Sequence, residues 1–339
     1  MRLKTTFLCG LDQIELPAMP QRGERFAEDY WITKDKGRIA ELIHQFGDGL
    51  GSVETTYLAN RASAVVYRSG EIEVVGEDVV DCLETRIIDD MLALKRLEMG
   101  LWLIKDNAGH FDRAWIVART TRGTIVHCNT WASRTSSADG SFEPTSFSSE
   151  ELRIARSLKT PLPSYLGQSG LPTMLAKGSL RFQRFQYFLG AARESGDVAM
   201  KIAQYCSGLE ALVSTSQQEL SHQVSERVAA LLAPPGPDRI SYFKLVKQAY
   251  GYRSKAVHGS SFKPTDVGQL RDCSKKVDQI YRSLFALYIQ EDERFRTAVE
   301  GTDEDATQFF VELLLGMPAA SDETVDGEVA SVAAGLGKM

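Results

Sequence analysis

The stretch Tyr252-RSKAVHG-Ser260 sets a cation, a hydroxyl and an imidazole along one short run and ends on a helix-stop glycine. Upstream and within it, Phe243, Val246, Tyr250 and Val257 recur at three- and four-residue steps, the spacing of a single helical face. Arg253 falls in the same stripe. A cation in an apolar seam is costly unless it is paired. Either an internal anion meets it, with Glu210 and Asp272 as candidates, or the seam faces a cleft or a second subunit where the cation meets a ligand. Residues five apart on a continuous helix are rotated by roughly 140°, so Arg253 and His258 share a face only if the helix ends. Gly259 implies that it does. Ser254, four residues before His258, can then lie beneath the ring and orient it.

Working outward, four more helices surround this one. Phe182 to Arg193 is the first. Asp197 to Val213 follows, with Asp197 as its cap and Ile202, Cys206, Leu209 and Val213 as its stripe. Ser221 to Leu232 ends at Pro234-Pro235-Gly236-Pro237, which cannot continue a helix. Asp238 or Ser241 caps the helix that carries Arg253. Asp266 to Tyr288 closes the set, with Leu270, Cys273, Val277, Ile280, Leu284 and Leu287 in near-heptad spacing. Five helices with short joins make a bundle, which we place at residues 178–292. Beyond it, Glu291 to Asp305 is acidic, and TQFFVELLL (307–315) can dock as a final helix in an extension over 293–317. Residues 318–339 are Ala, Gly, Ser and acid, a composition that predicts disorder.

Residues 1–165 read as a small α+β domain. MRLKTTFLCGLDQIEL is its first strand. SAVVY (63–67) and EIEVV (71–75) read as two strands around an RSG turn, and Trp115 to Thr120 with Gly123 to Asn129 as a second hairpin. Ile87, Met91, Leu94 and Leu97 place a helix over 81–103. GDGLGS (47–52) lacks the spacing of a dinucleotide loop and reads as a plain turn. A segment near 133–149, rich in Ser, Thr and Gly, reads as a flexible linker. This part contains no P-loop, no H-E-x-x-H and no G-x-S-x-G. The fold class is therefore an α+β N-terminal domain followed by an all-α bundle.

Composition narrows the function. No apolar run approaches the length of a membrane span, and the N-terminus lacks a signal-peptide pattern, so a cytoplasmic protein without membrane partners is expected. The five cysteines are scattered and never form C-x-x-C, which argues against both a disulfide framework and a structural zinc site. The adjacent pair His127-Cys128 points to opposite faces of a strand and makes a poor chelate. The net charge is −6, but residues 181–290 hold fifteen Lys or Arg against nine Asp or Glu. That local excess of six suits a polyanionic ligand.

Arg253-Ser-Lys-Ala-Val-His258 resembles the R-x4-H motif of HEPN domains, and the phrase Tyr252-RSKAVHG-Ser260 is similar to the ApeA-like branch. Gly208-Leu-Glu-Ala-Leu212 and Ser225-Glu-Arg-Val-Ala-Ala-Leu-Leu232 resemble the same branch. The resemblance covers about residues 178–292. It implies a HEPN-type bundle that homodimerises, and a metal-independent endoribonuclease needing no cofactor. Anti-phage defence or a toxin role would follow, with a defence-system or antitoxin partner. Such sites are composite, an Arg and a His coming from each of two copies. Many active members carry Asn, Asp or His after the arginine, whereas this chain has Ser254.

The chemistry suits the residue types. RNA carries its own nucleophile, the 2′-hydroxyl, beside the scissile phosphate. His258 is the residue to move protons. Arg253 is the residue to stabilise a phosphorane through forked hydrogen bonds. Ser254 and Glu210 are the expected supports, and Lys255, Lys247 and Tyr252 the expected RNA contacts. Structural readings stand beside these: Glu210 as the partner of a buried arginine, Arg227 as a satisfied surface residue, Tyr252 as a core aromatic, His222 as a surface or capping residue. Two other function classes stay open, a catalytically silent RNA- or nucleotide-binding module and a sensor component regulated by its N-terminal domain.

Overall fold

The computed structural model describes the chain except for residues 28, 75–77, 132–133, 159, 162–178, 291 and 317–339. It divides into two compact units, Met1–Thr135 with Phe142–Leu162, and Ser136–Ser141 with Pro163–Met339. The first is mixed α/β and the second helical. The tail expected to be disordered, residues 318–339, lies outside the described residues.

In the first unit, β1 (Arg2–Leu11), β2 (Ile14–Glu15), β3 (Glu24–Arg25) and β4 (Tyr30–Thr33) precede α1 (Lys36–His44) and α2 (Ser52–Thr56). Then come β5 (Ala64–Glu73), α3 (Val79–Ile104), β6 (Arg113–Thr120), β7 (Gly123–Thr130), β8 (Thr145–Ser146) and α4 (Ser149–Ser157). Six strands form an antiparallel sheet in the order β3-β4-β5-β1-β6-β7, and β2 pairs with β8 apart from it. Alternation along β1 explains why both faces of the sheet are covered. Phe7, Cys9 and Leu11 join a core with Leu83, Ile87, Met91 and Leu94 of α3. Leu8 joins a second core with Ile39 and Leu42 of α1.

Where two strands around a turn were expected, Ala64–Glu73 is one continuous strand. β1 runs antiparallel along all of β5, from Leu11 opposite Ala64 to Arg2 opposite Glu73. A partner of that length offers a hydrogen-bond ladder straight through Ser69 and Gly70, so the chain does not turn. Gly70 instead makes room: a Cβ there would lie 2.6 Å from Arg68 Nη1. Arg68 needs its position, because its Nε donates to Asp90 Oδ1 at 3.0 Å in the core. Arg86 and the Tyr30 hydroxyl complete the shell around that fully buried carboxylate.

The second unit contains α5 (Arg181–Glu194), α6 (Val198–Val213), α7 (Leu220–Leu232), α8 (Pro237–Val257), α9 (Val267–Ile289), α10 (Glu293–Glu300) and α11 (Asp303–Leu315). Its centre is aromatic. Phe185 stacks on Tyr281 at 4.2 Å, and Phe182 on Tyr288 at 3.5 Å. The Tyr281 hydroxyl donates to Tyr205 O at 2.7 Å, and the Tyr205 hydroxyl to the buried Asp278 at 3.0 Å. Asp197 caps α6, its side chain accepting from Met200 N. Neither Asp238 nor Ser241 caps α8. The cap is Gly236 and Pro237 is the first helical residue, where a preset φ and a missing N–H cost nothing. The acidic stretch after 291 holds α10, docked through Phe295, Ala298 and Val299, which share one face by their spacing.

Residues 136–141 are not a flexible linker but a strap built into the helical unit. Ser136 N–H donates to Arg193 O at 2.8 Å and its hydroxyl to Ser195 O at 2.7 Å. Ser274 Oγ donates to Ala138 O at 2.5 Å, and Lys275 Nζ meets Asp139 at 2.8 Å. Lys201 is completely buried, its ammonium donating to Ala192 O at 2.7 Å and to Ser136 O at 3.3 Å. Backbone carbonyls thus satisfy a charge that burial would otherwise make prohibitive.

Candidate functional site

α8 carries the seam predicted from its spacing, and the seam surfaces toward its C-terminal end. Val246 is fully buried and Tyr250 nearly so, whereas Val257 is 57% exposed. Arg253 sits between them with its side chain 32% exposed. Its Nη2 lies 3.3 Å from Glu210 Oε1 on α6. Of the two anions considered for Arg253, Glu210 is the partner; Asp272 pairs with Lys276 at 2.8 Å.

The packing beneath this pair fixes it. A Cβ on Gly208 would collide with the Tyr281 hydroxyl and press on Phe188. α6 approaches α5 and α9 closely at that point and presents Glu210 half a turn on. The Tyr250 phenol, one turn before Arg253, is pushed well above its ordinary pKa by burial and then by the charge of Glu210. Burial also raises the Cys206 thiol, Glu210 adds to the effect, and Arg253 opposes it. Both groups stay neutral at ordinary pH. The contact between Glu210 and Arg253 therefore lies beside two uncharged groups.

His258 occupies the helix terminus. Its backbone N–H donates to Ser254 O at 3.1 Å, Gly259 follows with φ +71°, and Ser260 N–H returns to Lys255 O at 2.9 Å. This is the left-handed glycine stop anticipated from the sequence. The imidazole is exposed and has no hydrogen-bond or ionic partner among the described residues. The Ser254 hydroxyl is exposed too and makes no hydrogen bond to the ring. What links them is the backbone, not the side chain.

The expected RNA contacts divide. Tyr252 and Lys255 both border Phe262, at 6.3 Å between rings and at 6.0 Å from Lys255 Nζ to the ring. Tyr252 is half-buried rather than core; its hydroxyl accepts from Gln248 Nε2 at 3.3 Å and meets Gln269 Oε1 at 3.4 Å. Lys247 points elsewhere, donating to Ser221 Oγ on α7 at 3.0 Å. Lys244 was missed by the sequence reading: it is exposed, lacks an ionic partner among the described residues, and shares the stripe of Gln248, Tyr252 and Lys255. Its four-residue step from Gln248 was the available signal.

Arg227 is no surface residue. It is 7% exposed, donates to Val213 O and Thr215 Oγ1, and lies over the Phe310 ring at 4.7 Å. His222 is exposed, edge-on to Phe243. Among the described residues, no group of three or more His, Cys, Asp or Glu is placed to hold a metal ion. None of their helices is long and apolar enough to cross a membrane.

No protein-family model, curated protein or solved structure matches the chain.

Proposed function

We propose that the helical unit is a HEPN-type domain acting as a metal-independent endoribonuclease, with Arg253 and His258 as its catalytic residues. One observation carries the reading. The end of α8 presents an imidazole without a partner among the described residues, five residues beyond an arginine that Glu210 holds where an apolar seam reaches the surface.

The proposed reaction needs only proton movement and charge stabilisation. His258 accepts the 2′-hydroxyl proton as O2′ bonds to phosphorus, and Arg253 neutralises the phosphorane oxygens. The P–O5′ bond breaks, and the departing oxygen takes a proton from the protonated imidazole of a second copy, which is left neutral. The products are a 2′,3′-cyclic phosphate and a 5′-hydroxyl. The exposure of Val257, on the stripe of Arg253, suits a face that a second copy covers, which is the homodimer of the proposal. Glu210 acts as a support, Ser254 contributes only its backbone carbonyl to the helix end, and Tyr252 and Lys255 act as RNA contacts. A cytoplasmic role in defence or as a toxin, with a matching partner, extends this reading by family analogy.

The Glu210–Arg253 pair itself favours a second reading. An arginine already neutralised within its own chain suits a silent RNA- or nucleotide-binding module, and the Ser254 hydroxyl does nothing to orient His258. Cleavage of total RNA in EDTA separates the two. Cleavage by the wild type that is lost in Arg253→Ala and in His258→Ala, leaving cyclic-phosphate ends, supports the nuclease. Binding without cleavage supports the silent module, and undiminished cleavage in both variants rejects the site.

A further inference from the structure

A groove of about 920 Å³ runs along the pair formed by α8 and α9. Lys244, Leu245 and Gln248 line one wall, and Lys276, Gln279 and Leu287 the other. Apolar side chains, amides that can both donate and accept, and a lysine from each of the two helices line it. Among the described lining residues the only acid is Asp238, at the far end beside the start of α8. Lys276 is engaged with Asp272, while Lys244 is exposed with no ionic partner among the described residues.

The groove also has a direction. Gln248 reaches from its wall to the Tyr252 hydroxyl, and that hydroxyl touches Gln269 at the opposite end of α9. Tyr252 and Lys255 continue the same stripe to the Phe262 ring, beside the helix end that bears His258. The groove wall and the candidate site are therefore stretches of a single helix. Lysines to follow a backbone, amides to meet base edges and tyrosines to stack against bases are what an unpaired polynucleotide strand requires.

We propose that this groove is the track for a single strand of RNA leading to the end of α8; it rests on the ribonuclease reading for what happens there, but not for binding. Lys244 and Lys276 meet phosphates, Gln248 and Gln279 meet bases, and Tyr252 stacks on the base nearest the site. A duplex, whose base edges face inward, does not fit.

The test uses the full chain and a fluorescent single-stranded 2′-O-methyl RNA, which binds but lacks the attacking hydroxyl. Lys244→Glu/Lys276→Glu is compared with wild type and with Arg122→Ala, at the tip of the β6–β7 hairpin. Circular dichroism melts check that each variant is folded. The double variant is expected to bind on the order of tenfold more weakly, with the slope of log affinity against log salt reduced by about 0.7 per lysine. Arg122→Ala binds as wild type, and an RNA duplex competes poorly. Unchanged affinity and slope in the folded double variant overturn the proposal, as does a wild type that binds no RNA. Conversion of a wild-type dimer to a monomer by the charge reversal, with affinity per chain unchanged, also overturns it and makes the groove a contact between copies. Cleavage of ordinary RNA is measured in parallel. Binding lost in the double variant with no cleavage by wild type leaves the track standing and the ribonuclease reading fallen; cleavage with an unaltered KM in the double variant does the reverse.

Discussion

Glu210 Oε1 stands 3.3 Å from Arg253 Nη2, across the contact of α6 with α8, and neither side chain is fully buried. Both side chains are partly exposed, although Glu210 Oε1 itself is buried, so the pair contributes less than a core ion pair would. A double-mutant cycle between Glu210→Gln and Arg253→Met should give a coupling of about 1 kcal/mol in urea unfolding. A coupling indistinguishable from zero would show that the contact does not hold the arginine in solution.

Gly208 is held by packing, not by backbone conformation. Replacing a helical glycine with alanine ordinarily gains about 1 kcal/mol. Here the new methyl would meet the buried Tyr281 hydroxyl, so Gly208→Ala should lose about 1–3 kcal/mol instead. Tyr281→Phe in the same chain removes the obstructing oxygen and should recover part of that loss. Chemical denaturation of the two single variants and the double variant reads the result.

Lys201→Met keeps the aliphatic length and removes the ammonium that serves Ala192 O and Ser136 O. We expect a loss of about 2 kcal/mol, these backbone acceptors being deprived of a buried donor. Hydrogen exchange should show faster opening of the Ser136 amide, which donates to Arg193 O. A variant as stable as wild type would mean that water replaces the ammonium at no cost.

Asp139 gives the strap an acid sensitivity. Burial alone would raise its pKa, but hydrogen bonds from Lys275 and Ser141 outweigh it and bring the carboxyl down to about 2. A depressed folded pKa means stability present above the unfolded value of about 3.9 and lost as pH falls toward 2. The wild type should lose more stability than Asp139→Asn between pH 5 and 2. Equal losses would show that the carboxylate is not engaged in solution.

How much of this was legible in the sequence follows from how local each signal was. The five main helices could be read because each carries its own 3.6-residue stripe, and α8 could be given its end because Gly259 is the residue such an end needs. The pairing of Arg253 with Glu210 was legible only as one of two options, since choosing between Glu210 and Asp272 depends on how helices pack. β5 was misread because Ser69 and Gly70 favour a turn until β1 is laid beside them. The strap was misread because nothing in its Ser- and Gly-rich composition mentions Lys201 or Ser274, many residues downstream. Lys247 and Lys244 differ by three positions, and only the placement of α7 decides which of them is free to meet a ligand.

The strap bears on how this architecture can be inherited. Because residues 136–141 belong to the helical unit while 142–162 belong to the other, the helical unit is discontinuous along the gene. A recombination breakpoint after residue 162 would transmit the helices without Ser136 O, one of the carbonyls that Lys201 uses, and without the one that Ser274 uses. The helical unit is thus no transferable cassette: any new N-terminal half grafted onto it would have to bring its own version of that strap.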